Sequence, residues 1–87
     1  MTMNPEMRDR VWERWIAMYP SDADSDERMR DELLGTFAAE RIAFRIACED
    51  VSGPFRSAAI RLADDLDARI RKMNGRALRR AFRSWRQ

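Results

Sequence analysis

The chain contains no histidine. That removes the commonest general base at neutral pH, the Ser/His and Cys/His nucleophile pairs and every histidine-containing metal site, and most enzyme classes go with them. A single cysteine, Cys48, excludes an internal disulfide, and no CxxC or Cys/His cluster is present to hold zinc or a redox pair. The phosphate-cradling and nucleophile-elbow patterns GxGxxG, GxxxxGK(S/T) and GxSxG are absent too, so nothing points to nucleotide binding or hydrolase chemistry. No run approaches the roughly 18 apolar residues of a membrane span, and Met1 to Met7 lack a positive region followed by an apolar stretch. The expectation is a protein of the reducing cytoplasm, with no membrane partner, no metal and no cofactor.

Glycine and proline number only three each, while Ala, Arg, Leu, Glu and Met recur. This is the vocabulary of helices rather than of strands and turns. With 87 residues, 45% apolar and 37% charged, the chain lies outside the disordered class and suits one small folded domain. The predicted fold is all-α, a small bundle of three main helices plus a short basic C-terminal helix.

Helix one is expected over 5–19, opened by Asn4-Pro5 and stopped by Pro20. At about 100° per residue its apolar half carries Met7, Val11, Trp12, Trp15, Ile16, Met18 and Tyr19. Asp24 and Glu27 have the spacing of a capping box, and a long second helix over 26–49 follows, softened at Gly35. It has two apolar faces, one with Met29, Leu33, Phe37, Phe44 and Cys48, the other with Ala39, Ile42, Ala43 and Ile46. Such a helix lies central in its fold or offers one side to a partner. Ser52 caps a third helix over 54–73, whose stripe Phe55, Ala59, Leu62, Leu66, Ile70 and Met73 reads as a bundle seam. Asn74-Gly75 ends it with a left-handed cap, and a fourth helix is expected over 76–85.

Charge divides sharply along the chain. Residues 1–50 hold seven Arg against twelve acids, net −5, whereas residues 51–87 hold ten Arg and Lys against three Asp, net +7. Sixteen of the seventeen basic residues are Arg, whose planar fork grips carboxylates and phosphates bidentately. The candidate binding residues are Arg69, Arg71, Lys72, Arg76, Arg79, Arg80, Arg83, Trp85 and Arg86. On the last helix the Arg side chains oppose Leu78, Ala81, Phe82 and Trp85, which makes it a basic amphipathic helix. Four readings compete for it: a solvated face with some Arg paired to the acidic half, nucleic acid binding, docking on an acidic protein, and a membrane surface.

Other clusters have simpler explanations. Asp22, Asp24 and Asp26 begin like a calcium loop, but Glu27 replaces the turn glycine and Leu33 the final glutamate, so capping explains them better. Asp64, Asp65 and Asp67 have Arg61 and Arg71 at helical spacing, which suggests surface ion pairs. Cys48 sits on an apolar face, as a small buried hydrophobe does. A helix-turn-helix over Val51 to Pro54 lacks the usual compact helices. Arg8 lies within the aromatic face of helix one, where a pair with Glu40 would compensate both charges.

The function these features suggest is that of a small non-enzymatic regulator or inhibitor acting by protein–protein interaction, with direct, largely sequence-independent nucleic acid binding as the alternative. In size and composition the chain resembles the modulators of host complexes that phages and plasmids carry, a likeness that assigns no residue a role. A homodimer is compatible with either function, because an apolar face left over would need covering.

Overall fold

The computed structural model describes residues 3–73 together with Arg80 and Arg83. Among these, every regular element is helical: α1 (Pro5–Met18), α2 (Glu27–Leu34), α3 (Phe37–Glu49) and α4 (Arg56–Lys72), with single 3-10 turns at Pro20–Asp22 and Gly53–Phe55. The Asn74-Gly75 cap and most of the expected 76–85 helix lie outside the described residues; Arg80 and Arg83 have helical backbone and are exposed.

α1 begins where Asn4 Oδ1 accepts a hydrogen bond from the Met7 amide at 2.8 Å, with Pro5 in the first turn. Glu6 adds a negative charge at the positive end of the helix dipole. α2 is capped by Asp26, not by the Asp24/Glu27 box: the Asp26 carboxylate accepts from the Met29 amide at 2.8 Å, which leaves Glu27 as the first helical residue.

The single helix expected over 26–49 is two helices, broken at Gly35–Thr36. The Gly35 amide closes α2 on the Asp31 and Glu32 carbonyls. Thr36 then turns extended, at φ −82° and ψ 159°, and its hydroxyl serves both sides of the break. It donates to the Leu33 carbonyl at 2.7 Å and accepts from the Ala39 amide at 3.3 Å. One hydroxyl thus adds a bond to the last-turn Leu33 carbonyl, which also accepts from the Thr36 amide, and satisfies an orphan amide of the next helix. Ser52, expected to cap the next helix, makes no side-chain cap bond; Gly53 at φ 76° turns the chain into a 3-10 turn, and α4 starts only at Arg56.

The core forms where α1, α2 and α3 meet. Val11, Trp15, Leu34, Ala39 and Ile46 are buried, with Met7, Trp12, Ile16, Leu33 and Ile42 packed around them. The Trp15 indole N–H donates to Asp22 at 2.8 Å and its ring lies 4.9 Å from that of Tyr19. A buried indole is thereby satisfied, and the turn after α1 is tied to the core. Over Trp12, the Arg30 guanidinium sits 5.0 Å from the ring centre, within cation–π range.

α3 touches α1 on one side and α4 on the other. Its Ala39/Ile46 face belongs to the core with α1. By helical phase, the opposite face carries Phe37, Phe44 and the buried Cys48. Arg41 and Arg45 flank that face and are bonded to Asp67 and Asp64 of α4. From α4, the buried residues are Ala63 and Ile70, one heptad apart.

Two expected apolar faces are therefore only partly used. Met18 and Tyr19, assigned to the buried half of helix one, are 58% and 43% exposed. Along the stripe expected for the third helix, Phe55 just before α4, Leu62 within it and Met73 just after it stand open at 72%, 57% and 39%. α3 is a single helix and covers only the Ala63/Ile70 side of a stripe wider than one partner can bury.

Candidate docking surface

The arrangement of charge follows from which carboxylates the helices bring to which guanidiniums. Three α1 arginines reach across the first half of the chain: Arg8 to Asp31 of α2, Arg10 to Asp50 and Arg14 to Glu49 at the end of α3. The expected Arg8–Glu40 pair does not form; Arg8 is bound to Asp31, and Glu40 keeps its Oε2 buried without a hydrogen bond. The register of α1 on α2 places the Asp31 carboxylate nearer to Arg8 than Glu40 on α3.

Glu49 is the busiest of these acids. It accepts two bonds from Arg14, one of them at 2.9 Å, and lies 3.4 Å from Arg45 Nε. Its carboxyl is held below the ordinary range, chiefly by the Arg14 hydrogen bonds, which outweigh the opposing effect of burial, with the positive charges of Arg14, Arg45 and Arg56 adding to the lowering. Asp50 is lowered in the same way by Arg10, and the guanidiniums of Arg10, Arg14 and Arg45 are correspondingly raised.

Asp64 and Asp67 do not pair with Arg61 and Arg71. They turn toward α3, where Arg41 bonds Asp67 at 2.9 Å and Arg45 bonds Asp64 at 2.8 Å and Asp67 at 3.3 Å. Arg71 makes only a long contact, 3.4 Å, with the Asp67 main-chain carbonyl. Basic residues of the acidic half thus consume two of the three acids in the basic half, while Asp31, Glu32, Glu49 and Asp50 of the acidic half are taken by arginines of that same half.

What remains on α4 is a set of exposed cations, Arg61, Arg69, Arg71 and Lys72, none in an ion pair among the described residues. Arg80 and Arg83 are exposed further along. Of the site residues expected from sequence, Arg69, Arg71, Lys72, Arg80 and Arg83 are on the surface; Arg76, Arg79, Trp85 and Arg86 lie outside the described residues. Arg61, Phe55, Leu62 and Met73 were not among those candidates, yet all four are exposed on α4 or at its ends. Their signal in the sequence was the width of the helix-three stripe together with the charges beside it.

No matching family model, curated protein or solved structure was found for the chain. A shallow groove of about 190 Å³ runs between α1, α3 and α4, with Arg14, Arg41 and Arg45 above Met18, Tyr19 and Ile42. Each of these guanidiniums already holds a carboxylate, so the groove is charge-balanced and offers no free anion site. Among the described residues no three acids or cysteines gather closely enough to hold a metal ion, and no helix is long and apolar enough to cross a membrane. Asp22 and Asp26 of the acidic turn are occupied by Trp15 and the α2 amide.

Proposed function

We propose that the protein is a non-enzymatic regulator that docks on an acidic surface of a protein partner through the cations of α4 and the basic segment after it. The observation that carries this reading is the diversion of Asp64 and Asp67 to Arg41 and Arg45. It leaves Arg61, Arg69, Arg71 and Lys72 uncompensated on an ordered helix, where guanidinium forks can meet carboxylates bidentately. The simplest alternative is a solvated face with some Arg paired to the acidic half; what favours docking over it is that none of Arg61, Arg69, Arg71 and Lys72 is in such a pair among the described residues.

Nucleic acid is the second reading, favoured by the same free cations. It is the weaker one because the chain's net charge is only +2. Glu6, Asp9 and Glu13 also stand exposed on α1 outside any ion pair among the described residues. A long polyanion is repelled by such a face, whereas a partner with a bounded acidic patch need not meet it.

In-cell cross-linking followed by mass spectrometry, run in parallel on the parent and on an Arg69→Glu/Arg71→Glu/Lys72→Glu variant of unchanged helicity, tests the proposal. A protein captured by the parent, lost with the variant and insensitive to nuclease supports it. Equal capture by both contradicts it, and capture that nuclease abolishes transfers the assignment to nucleic acid.

A further inference from the structure

Asp65 is the acid of α4 that the fold itself does not use. Asp64 and Asp67 are bonded to Arg45 and Arg41 across the packing with α3. Asp65 is exposed and makes no hydrogen bond or ion pair among the described residues. It lies in the middle of a 17-residue helix, too far from the N-terminus to act as a cap or to serve the helix dipole. Aspartate is also a poor residue for a helix interior.

What surrounds Asp65 is the set of free cations. At about 100° per residue, Arg61, Asp65, Arg69 and Lys72 fall within a sector of about 80°, on the side of α4 away from the buried Ala63 and Ile70. Arg61 precedes Asp65 by four residues and Arg69 follows it by four, with Lys72 a further turn along. Arg71 lies outside the sector, its Nε directed to the Asp67 carbonyl. Along the axis the face therefore reads positive, negative, positive, with about 12 Å between the two arginine positions at 1.5 Å per residue.

We infer that Asp65 is a specificity determinant of the docking surface: it selects a partner with two acidic groups about 12 Å apart and a basic group between them, and rejects an unbroken row of negative charge. This selection rests on the docking role proposed above and narrows the kind of acidic surface that fits. Arg61 and Arg69 each meet a carboxylate while a partner Lys or Arg meets Asp65, so all three contacts are attractive. Because the arginines are equally spaced from Asp65, the pattern is the same for either direction of the partner chain. A continuous polyanion cannot satisfy it. Double-stranded DNA carries a negative charge about every 1.7 Å of its axis, so phosphates fall opposite Asp65 whenever they fall opposite both arginines. The like-charge contact then offsets what the arginines gain, and a repulsive element of this kind is how an interface discriminates against a wrong partner.

NMR titration of the full chain at low ionic strength with two alanine-based helical peptides tests the selection. Both peptides carry two Glu and one Lys at positions i, i+4 and i+8, in the order Glu-Lys-Glu or Glu-Glu-Lys, so that net charge is equal and only the order differs. A unit charge about 6 Å away in water shifts an equilibrium by about threefold. Two contacts change sign between the peptides, so the parent should bind Glu-Lys-Glu at least about tenfold more tightly, with shifts centred on the α4 amides. Asp65→Lys, at a side chain exposed in the folded chain, should make the two orders equivalent at unchanged helicity. A parent that binds both peptides equally, or a preference that Asp65→Lys leaves intact, overturns the role of Asp65 while the docking surface stands. A parent that binds neither peptide overturns both.

Discussion

Replacing Glu49 with glutamine tests the electrostatic reasoning at the point where the helices are most tightly linked. The carboxylate takes both arms of Arg14 and sits beside Arg45, joining α1 to the end of α3. Glutamine keeps the shape and removes the charge. A charge-assisted bond in a buried setting is worth about 1.5–3 kcal/mol, but the two side chains here are 41% and 27% exposed, and solvent screening reduces the expected loss to about 1 kcal/mol. For a domain of this size that corresponds to a fall in Tm of about 4–8 °C. The sign with pH is fixed by the lowered folded-state pKa of Glu49. A carboxyl whose pKa is depressed on folding contributes stability that is fully present above its unfolded pKa and is lost as pH falls through the folded one. Thermal unfolding of the parent, Glu49→Gln, Arg14→Met and the double variant should therefore show a favourable coupling at pH 7 that disappears under strong acid. No coupling at pH 7, or a coupling unchanged on acidification, would refute the reasoning.

Other variants probe the remaining links. Ile46→Ala removes a fully buried side chain where α1 and α3 meet and should cost about 2–4 kcal/mol in urea denaturation; a loss under 1 kcal/mol would remove Ile46 from the core. Thr36→Ala deletes the hydroxyl that caps α3 and should cost about 1 kcal/mol. Gly35→Ala, one residue away, should be neutral or stabilising by up to about 1 kcal/mol, because Gly35 has φ −85° and a Cβ there meets nothing closer than 3.4 Å. Equal losses at Gly35 and Thr36 would mean that the break depends on the glycine rather than on the cap.

The parts of the fold legible in the sequence were those fixed by local chemistry. Asn4-Pro5 and Pro20 bounded α1 to within a residue, since a cap and a missing amide act on their own neighbours. The two faces of α3 were visible in its periodicity. The break at Gly35–Thr36 was missed because a lone glycine in a helical pattern is a weak stop and the cap is supplied by a threonine read as interior. Ion pairs were legible only as an inventory of charges. Asp64 and Asp67 have arginines at helical spacing, and only the packing of α4 on α3 shows that Arg41 and Arg45 win them. The same packing decides which half of the Phe55-to-Met73 stripe stays open. The basic face was plain from sequence, whereas its lack of compensation depended on those tertiary pairs.

The most direct test of the docking surface is fluorescence anisotropy with three labelled probes, an oligoglutamate peptide, a single-stranded and a double-stranded oligonucleotide, each at low and at physiological salt. The parent is compared with the Arg69→Glu/Arg71→Glu/Lys72→Glu variant. The account predicts that the acidic peptide binds the parent and not the variant, and that oligonucleotide binding fades as salt rises to the physiological level. Absence of binding to all three probes at low salt would contradict it and make the α4 cations a solvated face.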